Sequence, residues 1–258
     1  MVGATLRAIV VLAVASICVY PAAGSAQAQQ SVRLRATLNP KRLGHGTTLG
    51  FDIQIRAPRG KVPSPVVGIA LRYPNDLGIG LSGLGLETCR QATLEAIGMR
   101  ACPPDSLMGD GSATVEIQIG PEIVHETAKL AIVRAPVKNG RFALIFYADG
   151  TTPVEAQLSL PAFLLEAAHP FGGKVDIQLP LVPSLPESPD VALVHLHALI
   201  GPAHLTYYEH VHGRRVAYRP RGIQLPKSCP RGGFPFAATF AFSDGTRSTA
   251  RTRVSCPR

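Results

Sequence analysis

Short apolar runs with a two-residue period recur along the chain, and proline or glycine separates most of them. This period places alternate side chains on one face of an extended segment, as in a strand with one buried face. With 23 prolines and 25 glycines among 258 residues, the breaks are too frequent for a helical protein. The pattern predicts an all-β fold of about twelve to fourteen strands, with short helical turns only.

The last thirty residues show the pattern most clearly. Alternate apolar side chains from Phe236 to Phe242 predict one strand, and an Asp-Gly pair within residues 243–246 predicts a tight turn. In the returning segment, Arg251 and Arg253 fall on the face opposite Val254. The sequence therefore predicts a C-terminal β-hairpin with an apolar inner face and a basic outer face.

The N-terminus has the features of a secretory signal peptide. Arg7 precedes an apolar run over residues 8–19, which is shorter than the ~20 residues that span a bilayer. Small residues follow, and Ala26-Gln27-Ala28 fits the rule for signal cleavage. We expect residues 1–28 to be a signal peptide cleaved near Ala28, and residues 29–258 to form one exported domain. An uncleaved anchor and lipidation at Cys18 are the alternatives.

Four cysteines follow the expected signal peptide: Cys89, Cys102, Cys229 and Cys256. An even number of cysteines in an exported protein indicates disulfides, because the compartment is oxidising. Three pairings are open, and the simplest joins Cys89 to Cys102 and Cys229 to Cys256. The first bond would pin a loop that contains the best helical stretch, residues 91–97, and the second would join the open ends of the hairpin. Neither pair has the C-x-x-C spacing of a zinc site.

Several motifs resemble those of a family of uncharacterised bacterial exported proteins. The C-terminal motif reads C-P-R-G-G-F, then F-A-A-T-F-A-F-S-D-G and a closing C-P, between residues 229 and 257. The others lie at Tyr73–Cys89, at Ala101–Val115 and in the run L-P-L-V-P-S-L-P from Leu179. The resemblance implies an exported protein, and it brings no activity, cofactor or site residue with it.

The expected architecture is an antiparallel β-sandwich, either immunoglobulin-like or jelly-roll-like. A proline-rich segment at residues 180–189 is a candidate boundary within it. One continuous sandwich is the preferred interpretation, and two packed sandwiches are the alternative.

The positive charge is concentrated in the last quarter of the chain. Residues 29–200 carry equal numbers of basic and acidic side chains, whereas residues 201–258 carry ten basic and two acidic ones. The candidate anion-binding residues are Arg214, Arg215, Arg219, Arg221, Arg247, Arg251 and Arg253. Guanidinium groups bind phosphate and carboxylate through paired hydrogen bonds.

These features predict an exported, non-enzymatic protein that binds an anionic component of the cell envelope, a polymer or lipid headgroups. The alternatives are a structural or assembly protein that pairs with another exported protein, and a basic surface that only confers solubility. The G-x-G-x-x-G match at residues 78–83 is followed by more glycine rather than a helix. We therefore expect no nucleotide or other cofactor.

Histidines provide the only candidate for metal binding or catalysis. Two H-x-H pairs, His195 with His197 and His210 with His212, are each expected to share one face of a strand. On neighbouring strands they would offer three or four imidazoles to zinc or copper. The alternative is that both pairs simply face solvent.

Overall fold

The computed structural model describes residues 30–58, 61–79, 82–150, 156–183 and 190–257. The expected signal peptide and its cleavage site at Ala28 lie outside these ranges. Within them the strands are β1 (Ser31–Asn39), β2 (Gly46–Arg56), β3 (Val66–Pro74), β4 (Leu107–Ile119), β5 (Glu122–Lys138), β6 (Arg141–Gly150), β7 (Ala156–Leu165), β8 (Phe171–Gln178), β9 (Ala192–Ile200), β10 (Tyr207–Val211), β11 (Arg214–Tyr218), β12 (Ile223–Gln224), β13 (Phe234–Phe242) and β14 (Arg247–Val254). The helical segments are α1 (Gln91–Ile97) and two short 3-10 turns, Met99–Ala101 and Pro104–Ser106.

Twelve of these strands form one sheet in which all paired strands are antiparallel. Its order is β1-β2-β9-β4-β5-β6-β7-β8-β3-β13-β14, and β12 pairs with the start of β2. Strands β10 and β11 pair with each other in a separate two-stranded sheet. The predicted all-β, antiparallel fold is confirmed. Strands from both sides of the proline-rich segment belong to the large sheet, since β9 lies between β2 and β4.

The large sheet curls until its two edges, β1 and β14, lie side by side. Eleven strands form the path, and each runs antiparallel to its neighbour, so the first and last strands run in the same direction. Hydrogen bonds tie them at both ends, from Gln30 Nε2 to Asp244 Oδ2 at 3.1 Å and from Lys41 Nζ to Ser255 Oγ at 3.0 Å. The result is a nearly closed, barrel-like sheet, and no strand pairing between described residues joins its edges.

One hydrophobic core fills the inside of this sheet. Inward side chains from opposite walls, such as Ile53 on β2, Ile132 on β5 and Phe240 on β13, have at most 1% of their surface exposed. The layers expected of a sandwich are thus opposite walls of one continuous sheet. Alternate residues on each strand face this core, which is why the two-residue period in the sequence located the strands.

A second hydrophobic cluster lies on the outer face of β5, β6 and β7. Helix α1 covers this face, and its Leu94 packs fully buried in a cluster with Val133 and Ile145. The Cys89–Cys102 disulfide closes the loop that carries the helix. Both the helix and this cysteine pairing confirm the sequence prediction.

The C-terminal hairpin also confirms its prediction. Strands β13 and β14 pair in register from Phe234 opposite Val254 to Ala241 opposite Arg247. Gly245 supplies the positive φ of 80° that the turn requires, and the Cys229–Cys256 disulfide joins the open ends of the hairpin. No helix within the described ranges is long and apolar enough to cross a membrane.

Candidate functional site

Strand β14 carries three of the predicted anion-binding residues on its outer face. Arg247, Arg251 and Arg253 are exposed, whereas Ala250 and Val254 of the same strand are buried in the core. Alternate residues of an extended strand lie about 7 Å apart. Arg251 and Arg253 therefore form a row along the edge of the sheet, with Arg247 at its start.

The structure adds two arginines that were not predicted for this site. Arg33 and Arg35 lie exposed on the outer face of β1, the strand that runs beside β14 in the same direction. We call the set Arg33, Arg35, Arg247, Arg251 and Arg253 the arginine face.

Strands β13, β14 and β1 contain no aspartate or glutamate. Strand β3, which flanks β13, has no acidic residue either. On β2, which flanks β1, Asp52 lies opposite Arg35 and is paired with His195 Nε2 at 2.8 Å. Within the described residues, Arg33, Arg35 and Arg251 form no ion pair or side-chain hydrogen bond. Their guanidinium groups are thus available to an external anion.

Asp244 is the nearest acid at the turn end of the arginine face. Burial raises its pKa, but hydrogen bonds outweigh this effect and hold the pKa below its usual value. The donors are the hydroxyl and backbone N–H of Thr246, at 2.6 and 2.9 Å, and the Gln30 amide. Asp244 is therefore a structural carboxylate that fixes the turn.

Basic residues continue past the other end of β14. The loop between β1 and β2 reaches the disulfide region here, because Lys41 bonds to Ser255 and the Gly44 N–H donates to Pro226 O at 3.0 Å. Four exposed basic residues lie in these segments: Lys41, Arg42, Lys227 and Arg231. They extend the positive surface beyond the strands.

The other predicted arginines lie elsewhere. Arg214 and Arg215 are on β11, in the separate two-stranded sheet, and Arg219 and Arg221 follow it. The ten residues Tyr208–Ala217 are all exposed, so this hairpin projects from the large sheet with both faces in solvent. Arg215 stacks on the ring of Tyr208 at 3.8 Å, a cation–π contact. The seven predicted residues therefore divide into two groups, three on β14 of the large sheet and four on or just after β11.

The histidines are not brought to one place. His195 and His197 do share the outer face of β9, as predicted, but β9 lies between β2 and β4, whereas β10 pairs only with β11. The prediction that His210 and His212 share a strand face is wrong. His212 lies in the β10–β11 turn with a φ of 50°, because His212-Gly213 forms a two-residue turn with both φ angles positive.

No group of three or more histidine, cysteine or acidic side chains among the described residues is arranged to hold a metal ion. His195 bonds to Asp52, and His204 Nε2 lies 2.8 Å from Asp110 Oδ2. Each of these two histidines is thus paired with a single carboxylate, His195 with one on the neighbouring strand β2 and His204, which follows β9, with one on β4.

The sheet also encloses a cavity that was not predicted from the sequence. The inner cavity has a volume of about 140 Å³, and aliphatic side chains such as Val115, Leu160 and Leu196 form most of its wall. Glu126 has the only polar side chain among the described residues that line it. Burial raises the pKa of the Glu126 carboxyl.

A sequence signal for Glu126 was present. Ala128, Leu130 and Ile132 alternate on the inner face of β5, and extending the same period by two residues places Glu126 among them. Alternation in residues 31–38 predicts that Arg33 and Arg35 face outward from a strand. Their place beside β14 had no signal, because it depends on a contact between strands some 210 residues apart.

No protein-family model, curated protein or solved structure matches the chain. The family resemblance inferred from the motifs therefore stays a prediction, and functional proposals rest on the geometry.

Proposed function

We propose that the protein is exported and binds an anionic polymer of the cell envelope through the arginine face, without catalysing a reaction. The observation that carries this proposal is the outward placement of five arginines on adjacent strands that have no acidic residue. The two disulfides support export, because such bonds persist mainly in oxidising compartments.

A polymer suits this surface better than a single small anion. The arginines are spread along two strands in the open, and no described cavity encloses them. Each exposed contact is weak on its own, since water and salt screen it. A polymer with repeated charges engages several guanidinium groups at once, and linkage between the contacts raises the overall affinity.

Binding of purified protein to inorganic polyphosphate and to polygalacturonate, measured across a range of salt concentrations, tests the proposal. The test variant combines Arg33→Gln, Arg35→Gln and Arg251→Gln, and the matched control combines Arg214→Gln, Arg215→Gln and Arg219→Gln. Both variants lose three positive charges at exposed positions. We expect wild-type binding to weaken steeply with salt, with a slope that falls by about 2 in the test variant, since each contact contributes roughly 0.7–0.9.

The control variant is expected to bind nearly as well as wild type. Equal losses in both variants would show that net charge, rather than the arginine face, determines binding. Binding to anionic lipid vesicles in preference to both polymers would assign the surface to headgroups instead.

A second candidate function rests on the projecting β10–β11 hairpin. Its outer end exposes Val211 and Val216, at 42% and 45% of their surface, together with Tyr208. Such apolar side chains on a protruding element suit contact with another exported protein. Cross-linking from a photoreactive residue at position 216 in the native host tests this: a single partner protein supports it, and the absence of any adduct contradicts it.

A further inference from the structure

The inner cavity is an unfilled part of an otherwise packed core. Its wall comes from strands β3 to β9 and from the segments that flank β8 and β9. Several of the side chains that line it are only partly buried, among them Val115, Leu158 and Leu196. The cavity is therefore reached by solvent from one end of the sheet.

The carboxyl of Glu126 lies in this wall with no described cation beside it. Its surface is 7% exposed, so the residue is more than nine-tenths buried. Its carboxyl makes no hydrogen bond or ion pair with any other described residue. The carboxyl oxygens keep some contact with solvent through the cavity. A cation placed there would offset the cost of their partial burial, because the interior solvates charge less well than water does.

Gly150 lies close to the Glu126 carboxyl. A Cβ atom at Gly150 would lie 2.6 Å from Glu126 Oε1, so a side chain at position 150 would displace the carboxyl from its present place. Ala128 and Ala156, which pair with Gly150 on the neighbouring strands, also line the cavity and are small, as is Ala148. A space beside a carboxylate is thus bounded by methyl groups and backbone.

We propose that the inner cavity binds a small apolar molecule that carries one ammonium group, with Glu126 as the counter-ion. The cavity's volume, about 140 Å³, is close to that of an engineered apolar cavity of ~150 Å³ that binds benzene. An occupant with about six to eight non-hydrogen atoms fits this space. Its hydrocarbon part contacts the aliphatic wall, and its ammonium donates hydrogen bonds to the Glu126 carboxylate.

This site is independent of the proposed function. The cavity lies inside the sheet, whereas the arginine face lies on its outside. A test can therefore contradict ligand binding in the cavity without bearing on polymer binding at the arginine face, and the reverse also holds.

Titration of the purified protein with n-hexylamine, 1-hexanol and hexanoate tests the proposal, because these probes share one chain and differ in charge. Calorimetry gives the affinity, and amide NMR shifts at Ala128, Gly150 and Leu196 locate the binding. We expect the amine to bind most tightly. In Glu126→Gln, which keeps the size of the side chain, we expect amine affinity to fall at least tenfold and hexanol affinity to change less than twofold.

Ala148→Leu provides a second variant that fills the cavity and leaves the carboxyl in place. It is expected to abolish binding of both the amine and the alcohol. The proposal is overturned if no probe shifts the cavity residues, if hexanol or hexanoate binds more tightly than hexylamine, or if Glu126→Gln binds the amine as wild type does.

Discussion

Tyr207 and Glu126 are both buried and carry a polar group, but only the Tyr207 group has hydrogen-bond partners among the described residues. Tyr207 is fully buried, but its hydroxyl donates to Leu107 O at 2.6 Å and accepts from the Gly85 N–H at 2.7 Å. Glu126 has no such partner among the described residues. A satisfied buried group stabilises a fold, whereas an unsatisfied one points to a ligand or a cost in stability.

Removing the Tyr207 hydroxyl should destabilise the protein markedly. Tyr207→Phe leaves the Gly85 N–H and Leu107 O buried without this partner, so we expect a loss of about 1–3 kcal/mol in the free energy of unfolding. Chemical denaturation measures this loss. Tyr208→Phe is the control, since Tyr208 is exposed; an equal loss in both variants would contradict the role of the hydroxyl. Burial raises the pKa of Tyr207 to about 12, so the hydroxyl stays protonated at neutral pH.

Glu126→Gln should stabilise the ligand-free protein at neutral pH. Burial raises the pKa of this carboxyl in the folded state, so its ionisation opposes folding above that pKa. Below the unfolded pKa of about 4.3 both states are protonated and the penalty is absent. The variant should therefore gain stability over wild type as pH rises from about 4 through the folded pKa, and the gain should then level off. Thermal unfolding across this range checks the trend, and a constant difference would contradict it.

Asp244 should show the opposite dependence on pH. Hydrogen bonds keep its folded pKa below the unfolded value of about 3.9, so its stabilising effect is present at neutral pH and is lost as pH falls through the folded pKa. Asp244→Ala should cost about 1 kcal/mol at pH 7, the usual net value of a hydrogen bond. The difference from wild type should shrink towards pH 2. Denaturation at both pH values tests this, and a difference that grows in acid would contradict it.

At the scale of elements, the loop that carries α1 depends on its disulfide. Helix α1 is only seven residues long and has no side-chain cap at its N-terminus, so it gains little stability by itself. It is held by Leu94 in the outer cluster and by the Cys89–Cys102 bond. By contrast, the Cys229–Cys256 bond closes a hairpin that β13 and β14 already pair along their length.

Replacing Cys89 and Cys102 with serine should therefore open the outer cluster. The chain-entropy model gives a loss of about 3 kcal/mol for a loop of this size. Amide hydrogen exchange at Val133 and Ile145, under the helix, should accelerate more than exchange at Phe240 in the main core. Serine at Cys229 and Cys256 is the matched control and should leave exchange at Val133 unchanged. Equal acceleration at all three sites in both variants would contradict this account.

At the scale of the whole molecule, the sequence predicted what depends on neighbours in the chain. The two-residue period predicted the all-β fold and the hairpin of β13 and β14, and helix-favouring residues between two cysteines predicted α1. The order of strands in the sheet was not predictable, because β3 pairs with β8 and β13, far away in sequence. The arginine face depends on this order, so only part of it was found.

We propose above that the arginine face attaches the protein to an anionic envelope polymer. Fractionation of the host's cells, with a salt wash of the envelope fraction, tests it most directly for wild type and for the Arg33, Arg35 and Arg251 glutamine variant. We predict that wild type is in the envelope fraction and leaves it between low and about 0.5 M salt, where exposed charges are screened. The variant should be mostly free at low salt. The claim would be contradicted by wild-type protein found free in the medium, by wild type that stays bound through the salt wash, or by a variant retained at low salt as firmly as wild type.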